Sequence, residues 1–225
     1  MDKAPVITLD GPSGTGKGTI GMLLAERLGW HYLDSGALYR GLAWWLLEHQ
    51  IAPEDKASIV TELPNILVDI DKADDGIANR ISANGTDITG FIRTEPVSVM
   101  ASKISAIPEV RARLLQLQQN MRKRPGLIAD GRDMGTVVFP DAPYKFYLDA
   151  STSERAKRRF NQLKEQGNSD SLRNIRTELE KRDLRDEERA VSPLKPASDA
   201  VIIDTTDLSI DGVLEKVLQT LPANA

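Results

Sequence analysis

Val6-Ile7-Thr8-Leu9-Asp10-Gly11-Pro12-Ser13-Gly14-Thr15-Gly16-Lys17-Gly18-Thr19 decides the fold. Residues 6–9 form a short apolar run, a Gly-x4-Gly-Lys loop follows, and Ile20, Leu23, Leu24 and Leu28 then recur at helical spacing as far as Gly29. Strand, glycine loop and helix in that order suit phosphate binding. Glycines let backbone N–H groups converge on phosphate oxygens, the helix N-terminus adds positive potential, and a lysine reaches the outer phosphates. The reading therefore assigns Gly11, Pro12, Ser13, Gly14, Thr15, Gly16, Lys17, Gly18 and Thr19 to a nucleoside triphosphate, with Thr19 serving Mg²⁺. A glycine-rich turn that only tightens a strand–helix junction is the plain alternative. A regulatory GTPase would also own such a loop, but it reads guanine through Asn-Lys-x-Asp, which this sequence lacks.

The same alternation continues outward from the loop. A second strand is expected at 31–33, a turn at Asp34-Ser35-Gly36, and a helix over 37–50 with Leu38, Leu42, Trp45 and Leu46 inward. Further apolar runs at 127–129, 144–148 and 200–203 each end in an aspartate, namely Asp130, Asp149 and Asp204. Five such strands predict an α/β fold, a P-loop core with a five-stranded parallel sheet and helices on both faces. Short strands at 66–70 and 79–82, with Asn84-Gly85 as a hairpin turn, mark an insertion over 63–105 within a core of 1–62 and 106–225. Residues 151–189 are dense in arginine and lysine and are broken at Gln166-Gly167-Asn168; they read as a mobile, charged helical pair, a lid over about 151–190. The tail after Pro222 reads as frayed.

Composition narrows the class. Apolar residues make up 40% and charged residues 28%, enough to build a core, and a formal charge of -4 with no basic tail argues against a protein that coats nucleic acid. There is no cysteine, and only His31 and His49 offer imidazole, so a metal would be held by oxygen. No signal-peptide pattern or membrane-length apolar run is present, and the expected location is the cytoplasm.

Three further stretches carry the acceptor side: Asp34-Ser35-Gly36-Ala37-Leu38-Tyr39-Arg40, Gly131-Arg132-Asp133-Met134-Gly135, and Arg182-Asp183-Leu184-Arg185-Asp186-Glu187-Glu188-Arg189. Arg40 is expected in the first turn of its helix, where a cation is disfavoured unless an anion lies near; the alternative is an arginine lying over Trp44. Arg132 ends a strand, the edge at which open parallel sheets bind ligands. Arg182, Asp186 and Arg189 share a helical face, which on spacing alone reads as an exposed, salt-bridged stripe.

Together with Gly-Lys-Gly-Thr in the loop, where the strict motif has Ser or Thr directly after the lysine, these stretches resemble the bacterial cytidylate kinases, a family of P-loop nucleoside monophosphate kinases. The resemblance extends over essentially the whole chain. It implies transfer of the γ-phosphoryl group of ATP to CMP or dCMP with Mg²⁺, by a monomer with neither nucleic-acid polymer nor membrane as partner. It implies Arg182 and Asp186 for the ribose, Arg40, Arg132 and Arg189 for the acceptor phosphate, Ser102, Arg111 and Asp133 for the base, and Ser35 as a further CMP-binding residue. A carboxylate accepts from the cytosine amino group, while a hydroxyl and a guanidinium suit N3 and O2. Ser102 and Arg111 could equally be surface residues. Arg155 and Arg159 are expected to close a cationic lid over ATP beside Lys17 and Arg132, and Asp130 to hold Mg²⁺ through water. The rivals are a UMP, AMP or shikimate kinase on the same fold and a nucleotide-binding switch without catalysis.

Overall fold

The computed structural model describes residues 3–72, 79–165, 167 and 170–222. The chain runs β1 (Val6–Asp10), α1 (Lys17–Leu28), β2 (His31–Asp34), α2 (Ser35–Glu48), α3 (Lys56–Glu62), β3 (Val68–Lys72), β4 (Asn79–Ala83), β5 (Thr86–Asp87), α4 (Glu95–Ile104) and α5 (Pro108–Asn120). It continues with β6 (Leu127–Gly131), β7 (Tyr144–Asp149), α6 (Thr152–Glu165), α7 (Leu172–Glu187), β8 (Val201–Asp204) and α8 (Ile210–Thr220). Two compact units result, Met1–Leu33 with Arg122–Ala225, and Asp34–Met121.

The first unit is built on the expected five-stranded parallel sheet, in the order β2-β6-β1-β7-β8. Strand β1 pairs with β6 on one side, Val6 opposite Leu127, and with β7 on the other, Ile7 opposite Tyr144. Every β1 residue is therefore buried. Ile7 and Leu9 join Ile128, Phe146, Leu148 and Ile203 from the sheet, Ile20 and Leu24 from α1, and Val213 and Val217 from α8 in one core. Removing each such side chain from water contributes about 1.5–3 kcal/mol. The strands end one or two residues later than the apolar runs do, because the terminal aspartates still pair. Asp130 lies opposite Leu9, and Asp149 opposite Asp204.

Helices α6 and α7 carry a small core of their own, Ala156, Ile175 and Leu179 with Phe160 and Leu163 packed on it. This is the charged helical pair read from the sequence; of its expected interruption only Gly167 lies within the described residues, as does no part of the tail past Pro222. Arg189 falls beyond the end of α7, whose C-cap is Glu188, so it does not share a helical face with Arg182 and Asp186. It returns to Asp186 by folding back, its Nε donating to the Asp186 carbonyl at 3.2 Å.

In the second unit α2 starts at Ser35 rather than 37, since the Asp34 side chain accepts from Ala37 N–H at 3.1 Å and caps the helix. What reads as a turn in the sequence is a cap and a first helical turn. Leu38, Leu42 and Leu46 are buried as expected, and Ala37 with them; Trp45 is half-buried, its indole Nε1 inside, and its ring stacks on His49 at 4.1 Å. Beside α2 lies the antiparallel sheet β3-β4-β5, turned at Asn84-Gly85 with both φ angles positive. Ile66 anchors the core instead of starting the strand.

Gly11 and Gly29 both have φ in the left-handed region, at 142° and 66°, but a Cβ at Gly11 would run into the Leu148 carbonyl oxygen whereas one at Gly29 meets open space. Gly29→Ala should cost about 1 kcal/mol of urea-unfolding stability. Gly11→Ala should cost roughly 3 kcal/mol or more, since backbone of β7 has to move. Equal losses would contradict the packing of β7 on the loop.

Candidate active site

The loop between β1 and α1 curls around the Lys17 ammonium. Nζ donates to the Pro12 carbonyl at 2.7 Å and to Thr15 Oγ1 at 3.3 Å, and the residue is 5% exposed. Burial, and next the nearby Arg132, push its pKa down to about 7 against the pull of Asp130 and Asp10. A cation in that state gains most from a phosphate. The back of the loop is tied by residues the sequence reading did not single out. Thr205 Oγ1 donates to the Thr15 carbonyl at 3.2 Å, and Asp10, at the end of β1, accepts from the N–H groups of Met134 and Gly135. Only their place at strand ends could have flagged them. Burial raises the Asp10 carboxyl to about 7, even though those two backbone N–H groups favour its ionised form.

Asp130 Oδ2 accepts from the Tyr32 hydroxyl at 3.1 Å and lies 3.6 Å from where a Gly18 Cβ would stand, beside the first turn of α1 that carries Thr19. No cluster of three or more acidic, histidine or cysteine ligands occurs among the described residues. One carboxylate and one hydroxyl next to a phosphate loop are hard oxygen donors that fit Mg²⁺, which keeps water ligands and takes phosphate oxygens.

Next to this loop the sheet edge is strongly cationic. Arg132 Nε donates to Asp186 Oδ2 at 3.0 Å and its Nη1 to the Gly131 carbonyl at 3.2 Å, while Arg189 Nη2 lies 3.8 Å from Asp186 Oδ1. The Asp186 and Arg189 side chains are 5% and 4% exposed, so they do not form a solvated stripe. Burial would raise the Asp186 carboxyl, but Arg132, Arg182 and Arg189 together hold it below the usual aspartate range. Asp133 opens a π-helical turn, Met134–Val138, whose capping its side chain does not take part in.

The two lid arginines differ. Arg155 is buried and fully engaged, with Nε on the Ala150 carbonyl, Nη1 on the Ser13 carbonyl at 3.1 Å, and Nη2 on Thr152 and on Asp183 at 2.7 Å. It straps the loop to α7. Arg159 reaches Gln162 at 3.0 Å on α6.

The second unit holds the remaining candidates. Ser35 is buried in the first turn of α2, and Arg40 stands in the second turn with its guanidinium folded back over the first, 2.7 Å from where a Gly36 Cβ would stand. Its anion is Asp34, at 2.6 Å, and its Nε is buried with no hydrogen-bond partner among the described residues. Ser102 and Arg111 are buried, which removes the surface alternative for both. They meet through Ser105, which donates to the Ser102 carbonyl at 2.8 Å and accepts on its own carbonyl from Arg111 at 3.3 Å. The Arg111 guanidinium also lies 5.9 Å from the Tyr39 ring centre.

A parallel sheet whose central strand feeds a phosphate loop, with an arginine paired to a buried aspartate at the neighbouring strand end, defines a P-loop phosphotransferase. The comparisons narrow this. Residues 7–223 match the cytidylate kinase family, and the chain belongs to that family. It is 51% identical over 215 residues to the cytidylate kinase of Coxiella burnetii, spanning 96% of this chain and 91% of that one. It is 52% identical to that of Aeromonas hydrophila, over 96% and 93%. An uncharacterised protein from Eubacterium ventriosum shares the fold at a TM-score of 0.50 and 11% identity, over 96% and 97% of the two chains.

Asp186→Asn should leave the buried Arg189 and the half-buried Arg132 without their counter-charge and cost about 3 kcal/mol. Because the folded carboxyl sits below the ordinary 3.8, its stabilisation is complete above that value and disappears as pH falls through the lower, folded one. Melting curves should show a constant gap between wild type and variant near neutrality that closes only in strong acid. A gap already closing at neutral pH would contradict the pairing.

Proposed function

We propose that this chain transfers the γ-phosphoryl group of ATP to CMP or dCMP, giving CDP or dCDP and ADP. The observation that carries the proposal is the part-buried Arg132–Asp186 pair at the end of β6, beside the phosphate loop that holds Lys17. Such a transfer needs no covalent intermediate. Two anions must be brought in line and the charge between them stabilised in a site poor in water.

In this reading the loop from Gly11 to Thr19 holds the ATP phosphates, and Lys17 exchanges the Pro12 carbonyl for a phosphate oxygen. Thr19 and Asp130 would hold Mg²⁺, the latter through water, and the ion would neutralise phosphate charge. Arg132 and Arg189 turn from Asp186 toward the acceptor phosphate, with Ser35 and Arg40, whose buried Nε is a donor in want of an acceptor. Arg182 and Asp186 bind the ribose, and Ser102, Arg111 and Asp133 read the cytosine edge. Arg155 and Arg159 belong to the lid at 151–190, and 63–105 is the acceptor-binding insertion. No described helix is long and apolar enough to cross a membrane, and the enzyme works as a cytoplasmic monomer.

The test is coupled ADP release with ATP, Mg²⁺ and each common nucleoside monophosphate. Rapid turnover only with CMP and dCMP is expected; binding without turnover on any acceptor would mean a switch. Lys17→Ala should lower kcat by about a hundredfold or more with the circular dichroism unchanged. Asp133→Asn should cut the CMP to UMP ratio of kcat/KM by roughly tenfold, since an amide can donate to the uracil oxygen that a carboxylate repels. If the mutation hurts both substrates by one factor, Asp133 does not read the base.

A further inference from the structure

The backbone around Asp133 is pinned from two sides. Val137 and Val138 donate to the Asp133 carbonyl at 2.9 and 3.1 Å, which forms the π-helical turn. The N–H groups of Met134 and Gly135 open that turn and have no acceptor within it. An aspartate at the N-cap position ordinarily supplies the acceptor from its own side chain. Asp133 stands at that position and makes no such bond. The cap comes instead from Asp10, 124 residues earlier than Met134, which gives one carboxylate oxygen to each N–H at 2.8 Å. Asp10 is 4% exposed, so water does not compete for these bonds. The turn is also pressed onto β1, for a Cβ at Gly135 would lie 2.9 Å from Thr8 Oγ1.

We propose that Asp10 is a positioning residue for the acceptor nucleotide: by capping the turn in place of Asp133, it fixes the backbone that carries Arg132 and Asp133. The inference rests on the assignment of Arg132 and Asp133 to the acceptor. Asp10 directly precedes Gly11, so the competing role is support of the donor loop, and the two roles differ in which ligand is lost.

Asp10→Asn keeps the size but sets an amide N–H against a backbone N–H, leaving one bond of the two. Asp10→Ser offers one acceptor with no opposing donor. Direct titrations with CMP and with a non-hydrolysable ATP analogue, and kcat/KM for CMP and UMP, are read for both variants beside Arg132→Ala. CMP binding should weaken about tenfold in the asparagine variant and less in the serine variant, and the CMP to UMP ratio should fall roughly fivefold. Binding of the ATP analogue should move less than about threefold. Equal weakening of both ligands, or no weakening, overturns the inference alone if Arg132→Ala still weakens CMP. If Arg132→Ala leaves CMP binding intact, the acceptor assignment falls and the inference with it. Should neither Asp10 variant fold, amide exchange in the wild-type protein decides. Slowing at Met134 and Gly135 on adding CMP, but not on adding the analogue, is the expected result, and any other pattern overturns it.

Discussion

Cations that wait for phosphate have to be kept out of water without it, and much of the architecture answers that constraint. Burying an unpaired charge costs several kcal/mol, so each cation is given a protein oxygen that holds it in the absence of ligand. Lys17 has the Pro12 carbonyl, Arg132 has Asp186, and Arg155 has two carbonyls and Asp183. In the other unit Arg40 has Asp34. These acceptors differ in what they do to a ligand. A carbonyl is a weak competitor that a phosphate displaces without leaving a charge behind, whereas a carboxylate keeps its negative charge beside the incoming anion. Asp186 can stay because three arginines surround it electrostatically.

The sheet order makes that arrangement local. With β1 between β6 and β7, the donor loop leaves the sheet next to the ends of both neighbours, and Asp10 and Gly131 lie opposite each other in register. One strand pair thus presents the lysine loop and the arginine loop side by side. The loop after β8 adds Thr205, which contacts the Thr15 and Asp149 carbonyls and receives Arg158 at 3.1 Å. The residue after β8 thus ties the loop that leaves β1 to the end of β7.

Much of this was legible in the sequence because period and punctuation agree. Residues 6–9, the glycines and the apolar spacing of α1 leave no competing element, and the aspartates that close the apolar runs of β6, β7 and β8 mark the sheet edge. The failures have physical causes. Trp45 reads as fully inward because its spacing fits, but it is only half-buried, with one face of the ring stacked on His49. Asp34-Ser35-Gly36 reads as a turn because those residue types also make caps. Arg189 reads as helical because charged sequence does not reveal where a helix stops. Asp10, Thr205 and Tyr39 went unread because their contacts join segments far apart in the chain, and no local pattern encodes that; the Ser105 bonds are local, but they run through backbone carbonyls that no residue pattern marks.

Strand order also dictates a timetable. In synthesis β1 is made first of the five strands, yet Val6 finds its partner only in Leu127, and Ile7 its two partners only in Ile128 and Tyr144. At ordinary elongation rates that leaves an apolar strand unpaired for on the order of ten seconds. Its pairings span most of the chain, which is the topology that slows folding. The residues from Asp34 to Met121, made in the interval, form a compact unit whose contacts are mostly their own. A strand with every residue buried is therefore the one longest exposed to the cell, and a nascent chain halted before Leu127 would have no parallel neighbour with which to cover it.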